Sequence, residues 1–236
     1  MHDPLVALFK LGCRAHMQEL LHVGHVYMNT VGYFASLEDG SPRADTDEGT
    51  KYSRLADGAT LHIQHGDHWQ KLATLHGAIR FKDDSLLATN LYCLHGRRRS
   101  DYGQVFVVNE LGFGESYVLF LDANEFFRRL QRGLAAIGQA TSWNVVEYVQ
   151  RHKHDGPMGV FRKYSERATD KEVRVAVTPG SGGPLSVRLG DLSDIALIGE
   201  ATDRLKLEPK GPANSVLEPT AHLEESRNAL RLSANR

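Results

Sequence analysis

The sequence predicts an α+β fold: a single domain over residues 1–200, mostly antiparallel or mixed β-sheets with two principal helices. Three observations carry this expectation. Two segments repeat apolar residues at helical spacing and stop at a glycine. From residue 59 onward, short β-branched and aromatic runs follow one another with turn residues between them. No internal repeat breaks the chain into like units.

The elements follow in order. Leu5 to Lys10 is a short apolar run, read as the first strand. Arg14 to Val23 carries Met17, Leu20 and Leu21 on one helical face, and Gly24 supplies the stop. His25 to Met28 resumes a strand, and the aromatic run at Tyr33 and Phe34 reads as extended chain leading into a turn. The segments 59–64, 77–81, 87–94, 103–109 and 116–122 look like successive strands, with Gly66-Asp67 and Lys82-Asp83-Asp84 as turns. Asp122 opens the clearest helix, with Glu125 three residues on in a capping-box pattern. Phe126, Phe127, Leu130 and Leu134 give that helix its apolar face, and Gly138 ends it. Strands are expected again at 143–149, 171–177 and within 185–199. Residues 201–236 mix charges, prolines and small residues, which predicts a polar, mobile tail.

Composition limits the functions open to the chain. Its 236 residues are 41% hydrophobic and 24% charged, the profile of a soluble globular protein. A formal net charge of -1 gives no overall surplus of bases to advertise nucleic-acid binding, although a local basic patch stays open. No apolar run is long enough for a bilayer, and the first ten residues lack a basic leader. Two cysteines are too few for a disulfide framework, so a reducing cytoplasm is the expected location. Histidine is abundant, with His62, His65 and His68 spaced by three. A strand sends residues three apart to opposite faces, so these imidazoles predict a solvated hairpin, and no metal site is expected.

Several motifs are excluded by what they lack. The glycines around Ser181 are not followed by the Lys-Ser/Thr of a phosphate loop. Gly112-Phe113-Gly114 lacks a third glycine and precedes a strand, unlike a dinucleotide fingerprint. Cys93 lies in an apolar strand, where a structural thiol is the expectation. What remains is a set of polar residues at strand ends. Lys10 ends the first strand, and Tyr27 and Asn29 flank the second. Glu38, Asp39, Asp45, Asp47 and Glu48 crowd around Arg43, which with Asp45 and Glu48 forms R-x-D-x-x-E. Arg43 could order that loop through a charge-assisted clamp; otherwise the acids are a solvated loop. Lys163 and Tyr164 precede Glu172 and Arg174, which share one strand face by period-two spacing. Their plain reading is an exposed ion pair contributing roughly 0.2–1 kcal/mol.

At these residues the chain resembles a large, poorly characterised bacterial domain family. The segment LFKLGCRAHMQELLHVGHVYMNTVGYFASLED, followed by RADTDEG, is similar to that family's opening. There a basic first strand, a helix and a second strand lead into an acidic "NDPfEG"-like loop. The LYCL strand and the late Glu-x-Arg strand in KEVRV continue the likeness from Leu8 to Leu197. Leu37-Glu38-Asp39 replaces the frequent Asn-Asp-Pro, and a Trp-x-x-Tyr segment after the cysteine strand is missing. The order of elements is in turn similar to ADP-ribosyltransferase-like folds.

The resemblance implies an intracellular ADP-ribosyltransferase-like enzyme, or a toxin or defence effector, acting on NAD as substrate. It implies Lys10 as anchor for a phosphate or ribose oxygen, and Tyr27 or Tyr33 as stacking platform. Glu172, beside Arg174, would be the carboxylate that stabilises an oxocarbenium-like ribose. Asp45 and Glu48 would position the acceptor or act as a second base, with Asn29 and Arg43 also contacting the nucleotide. Two alternatives stand beside it: a non-catalytic nucleotide-binding or interaction domain, and a metal-dependent hydrolase built on Asp45 and Glu48. The first reading expects Lys10, Tyr27 and Glu172 to line one cleft.

Overall fold

The computed structural model describes residues 3–37 and 44–209. The chain is α+β, with strand outweighing helix by 43% to 23%, so sheet geometry decides where the side chains go. Strand β1 (Leu5–Gly12) and helix α1 (Arg14–Val23) fall where the apolar spacing predicts them. Gly24 adopts the left-handed conformation at φ 65° and donates its N–H back to the Leu20 carbonyl at 3.0 Å, which closes the helix. Strand β2 (His25–Thr30) then leads into a short helix, α2 (Val31–Ser36). This corrects the extended reading of Tyr33 and Phe34. The Thr30 hydroxyl accepts from the Tyr33 N–H at 3.1 Å, and that cap outweighs the β-preference of the aromatic residues.

A long ribbon follows. It runs out through β3 (Thr50–Leu55) and β4 (Thr60–His65) and returns through β5 (His68–Thr74) and β6 (Ala78–Lys82). The histidine-rich β4–β5 hairpin is almost wholly exposed, as expected, with His65 facing His68 across its turn. Helix α3 (Asp84–Leu87) leads to β7 (Asn90–Arg98), the central strand of the sheet. Strands β8 (Val105–Val107) and β9 (Ser116–Phe120) precede helix α4 (Ala123–Ala136). The Asp122 carboxylate caps α4 by accepting from the Glu125 N–H at 2.9 Å. Glu125 itself turns outward to Arg129 at 2.8 Å, so only half of the expected capping box is made.

The remaining strands are β10 (Thr141–Val145), β11 (Glu147–Val149), β12 (Gly156–Pro157), β13 (Arg162–Tyr164) and β14 (Glu172–Val177). They are followed by β15 (Leu185–Arg188), β16 (Ala196–Glu200) and β17 (Arg204–Lys206). The last pairs with β8, and Ala201 is buried, so the ordered fold passes the expected boundary at residue 200. The rest of the expected tail, from residue 210, lies outside the described residues, as does Arg43 with its proposed clamp.

One eight-stranded sheet organises the whole, in the order β10-β14-β7-β1-β9-β16, with β2 joined to β7 and β15 joined to β2. Alternation along β14 explains its two faces. Val173, Val175 and Val177 enter the main core with Met17, Leu20, Phe126, Leu130 and Leu134 from α1 and α4. Glu172, Arg174 and Ala176 occupy the other face, which is covered by the 44–50 turn, Val160 and Phe161.

The sheet is split at its centre. Strand β1 pairs with β7 from Leu5↔Arg98 to Phe9↔His95, then continues with β9 alone. Strand β2 takes up the same edge of β7 only at Asn29↔Leu91. Tyr92, Cys93 and Leu94 therefore have no strand partner on that edge among the described residues. The Lys10 ammonium spans part of this gap, donating to the Cys93 carbonyl at 2.8 Å with the Tyr92 ring centroid 4.3 Å away. An unpaired strand carbonyl is costly to bury, so a charged donor from the diverging strand is a direct solution.

Candidate active site

A cavity of about 600 Å³ opens along the split. Its lining gathers residues from distant parts of the chain: Lys10 of β1, Tyr27 and Asn29 of β2, Tyr33 of α2, Glu48, and Glu172 with Arg174 of β14. The expected juxtaposition of Lys10, Tyr27 and Glu172 is thus present in one cleft. Tyr27 and Tyr33 are half-exposed at its rim, where an aromatic face is free to stack on a planar ring. Tyr92, Leu91, Leu94, Met17 and Leu20 supply an apolar floor. Asp45 borders a separate, smaller cavity of about 210 Å³ on the other side of Glu48 and Lys163, which line both.

The polar end of the cleft is a buried ion network. Arg174 is 1% exposed and reaches two carboxylates. Its Nε donates to Glu172 at 3.0 Å, and its two terminal nitrogens grip Glu48 as a fork. It also donates to the Val160 carbonyl at 2.7 Å. Lys163, 7% exposed, points its ammonium into four carboxylates. Asp45 lies at 3.2 Å, Glu172 at 3.4 Å, and Glu48 and Asp170 at 3.6 Å. This answers why the acids after residue 44 cluster: Asp45 and Glu48 meet buried cations from β13 and β14. The same arrangement counts against the hydrolase reading, because the Lys163 ammonium fills the centre of the carboxylates that a divalent ion would need. Among the described residues no group of three or more metal-ligating side chains is placed to hold an ion.

Glu172 is 9% exposed, which corrects the expectation of an open sheet face and a weak surface pair. Burial alone would raise its pKa, but Arg174 and Lys163 outweigh burial and hold it below the ordinary carboxylate value. Glu172 is therefore ionised at neutral pH. Burial likewise opposes the charge on Lys163, yet Glu172, Glu48 and Asp45 more than offset it and raise its pKa. The Glu172 N–H is fixed as well, donating to the Tyr148 hydroxyl at 2.9 Å. The Cys93 thiol lines the cleft but is no nucleophile: burial, reinforced by Glu172, pushes its pKa up to about 12.

The sequence reading gave no role to Lys163 and passed over Asp170, His95 and Tyr92. A signal for part of this was present. Cys93-x-His95 and Glu172-x-Arg174 each place two polar side chains on one face of an apolar strand. The register puts them side by side, Arg174 opposite Cys93 and Glu172 opposite His95. Asp170 and Lys163 carry no such signal, because they come from a 3₁₀ turn and a three-residue strand.

The fold and site together define an α+β protein with a split sheet and a charged cleft. No protein-family model matches the chain, and no curated protein and no solved structure matches it. No helix among the described residues is long and apolar enough to cross a membrane.

Proposed function

We propose that the cleft binds NAD as substrate and that the chain is an ADP-ribosyltransferase-like enzyme of the cytoplasm, acting as a toxin or defence effector. The supporting observation is that Lys10, Tyr27 and Glu172 line one cavity of about 600 Å³, with Asn29, Tyr33, Glu48 and Arg174 beside them. That volume falls within the usual range for small-molecule sites, about 300–1,000 Å³. In this reading the bond between nicotinamide and the ribose C1′ breaks, and its electron pair leaves with nicotinamide. The ionised Glu172 stabilises the positive charge that develops on the ribose. An acceptor nucleophile forms the new bond to C1′ and gives its proton to a base, the role this reading gives to Glu48, which lines both cavities. Tyr27 or Tyr33 stacks on the nicotinamide, and Lys10 faces the phosphates.

The test is incubation of the purified protein with NAD labelled on the ADP-ribose part, alone and with cell extract. Transfer of label to protein, or release of nicotinamide, is the expected result. A second reading, a non-catalytic nucleotide-binding domain, draws on the close pairing of Glu48 and Glu172 with Arg174, which leaves each carboxylate fewer free lone pairs for a substrate. Saturable NAD binding with NAD recovered intact would favour it.

A further inference from the structure

The ribbon that begins with β3 and ends with β6 turns one face to the body and one to solvent. On the inner face Ser53 stands opposite Arg80. Ser53 is buried and accepts from the Tyr164 hydroxyl at 3.1 Å, and Arg80 forms an ion pair with Asp47. Alternation sends the neighbours of these two residues the other way. On that outer face Tyr52 stands opposite Phe81, and Arg54 opposite Ile79. Phe81 is 53% exposed and Ile79 45%. The Arg54 guanidinium lies 5.2 Å from the centroid of the Tyr52 ring, within cation–π reach. Large apolar side chains exposed side by side mark a surface that meets a partner.

The ribbon continues into the β4–β5 hairpin, which is exposed on both faces. Trp69, 67% exposed, shares one of those faces with Lys71: the register sets Trp69 opposite Gln64 and Lys71 opposite His62. Charge follows the same line. Residues 50–82 hold five Lys or Arg against two Asp and no Glu, although the whole chain has a formal net charge of -1. The ribbon is therefore the basic arm of a chain that is acidic elsewhere. One carboxylate from outside it, Asp155, meets Arg54 at 3.5 Å.

Charge selects the occupant. A second copy docked through the same patch would set two basic ribbons against each other, because a two-fold interface pairs a surface with itself. Aromatic rings interleaved with cations match a polymer of planar rings and phosphates instead. We infer that the β3–β6 ribbon and its β4–β5 hairpin bind single-stranded nucleic acid. Tyr52, Phe81 and Trp69 stack on unpaired bases, and Arg54 and Lys71 meet the phosphates. The base faces and phosphates read in this way are common to DNA and RNA. A duplex keeps its base faces inside its own stack and offers this surface only phosphates. None of these residues lines the cleft, so the inference stands apart from the NAD reading.

The experiment is fluorescence anisotropy of labelled DNA and RNA single strands of about 12 nucleotides, titrated with the full chain at two salt concentrations. The duplex of the same DNA sequence is the comparison. Wild type is expected to bind a single strand more tightly than the duplex, with affinity falling as salt rises. Phe81→Ala and Trp69→Ala are each expected to weaken single-strand binding about five-fold or more, with the melting temperature unchanged because both rings are more than half exposed. If one variant does not fold, the other is read alone. Neither single strand binding, a duplex bound as tightly, or full affinity in the folded variants overturns the inference. Displacement of the strand by an equal charge of polyglutamate would also overturn it, in favour of an acidic protein partner. So would a dimer of wild type that Phe81→Ala dissolves, in favour of a second copy.

Discussion

Arg174 and Glu48, 126 residues apart in sequence, meet as a two-pronged buried ion pair that fastens the 44–50 turn to the central sheet. The same guanidinium holds Glu172 at 3.0 Å, so one side chain orders both the acidic turn and the proposed catalytic carboxylate. Removing it leaves two buried carboxylates short of charge. Arg174→Met is expected to cost about 3–5 kcal/mol, the usual consequence of breaking a buried pair on one side. Adding Glu48→Gln should recover part of that loss. The urea midpoints of the single and double variants check this; a single variant within about 1 kcal/mol of wild type would show the pair to be incidental.

Lys163 makes a second prediction, with a sign in pH. Its ammonium stands within 4.0 Å of Asp45, Glu48, Asp170 and Glu172. In Lys163→Met the Asp170 carboxylate, whose pKa burial already raises, loses the cation that pulls it down, so its folded-state value moves further above the unfolded one. A carboxyl shifted in that direction stabilises the fold at low pH and loses the contribution as pH rises. The melting temperature of the variant should therefore fall relative to wild type as pH rises above the ordinary aspartate value of 3.8. Parallel profiles would refute the assignment.

His95 acts in the opposite direction. Burial, then the Arg97 and Lys171 charges, lower its pKa from 6.5 to about 4, against the pull of the Asp170 carbonyl and Asp101. Between those two values the unfolded chain binds a proton that the fold refuses, so stability falls as pH drops. A shift of this size corresponds to about 3 kcal/mol. His95→Phe should flatten the stability profile from pH 6.5 down to about pH 4. Asp170, whose pKa burial raises, responds with the opposite sign near the acid end of that window, and Glu172, whose pKa is depressed, adds its own loss below 4.5. An acid limb unchanged in the variant would mean that His95 protonates freely in the fold.

Local signals made much of the fold legible. Met17, Leu20 and Leu21 with Gly24 define α1, and the valines of KEVRVAV enter the core as their alternation requires. Helix α2 was hidden because its stability comes from the Thr30 cap and from packing of Val31, with no repeating apolar face to read. The site was legible by residue type but not by environment. Lys10, Tyr27 and Glu172 do share a cleft, yet nothing near Glu172 in sequence announces that Glu48 and Lys163 arrive to bury it. Burial of a charge is a tertiary property, settled by partners 9 and 124 residues away, which is why a surface pair looked sufficient.

In the proposed reaction an ionised Glu172 stabilises charge on a ribose bound beside it. The direct measurement is the rate of nicotinamide release from NAD by wild type and by Glu172→Gln, at equal folded fraction. The glutamine keeps an oxygen for the Arg174 Nε but carries no charge. Its burial means that some stability is lost as well, so thermal melts accompany the rates. Measurable release by wild type and a loss of about 10²–10³-fold in the variant are expected, as for removal of one electrostatic stabiliser. No release by wild type, or a folded variant within a few-fold of it, would rule out that role for Glu172.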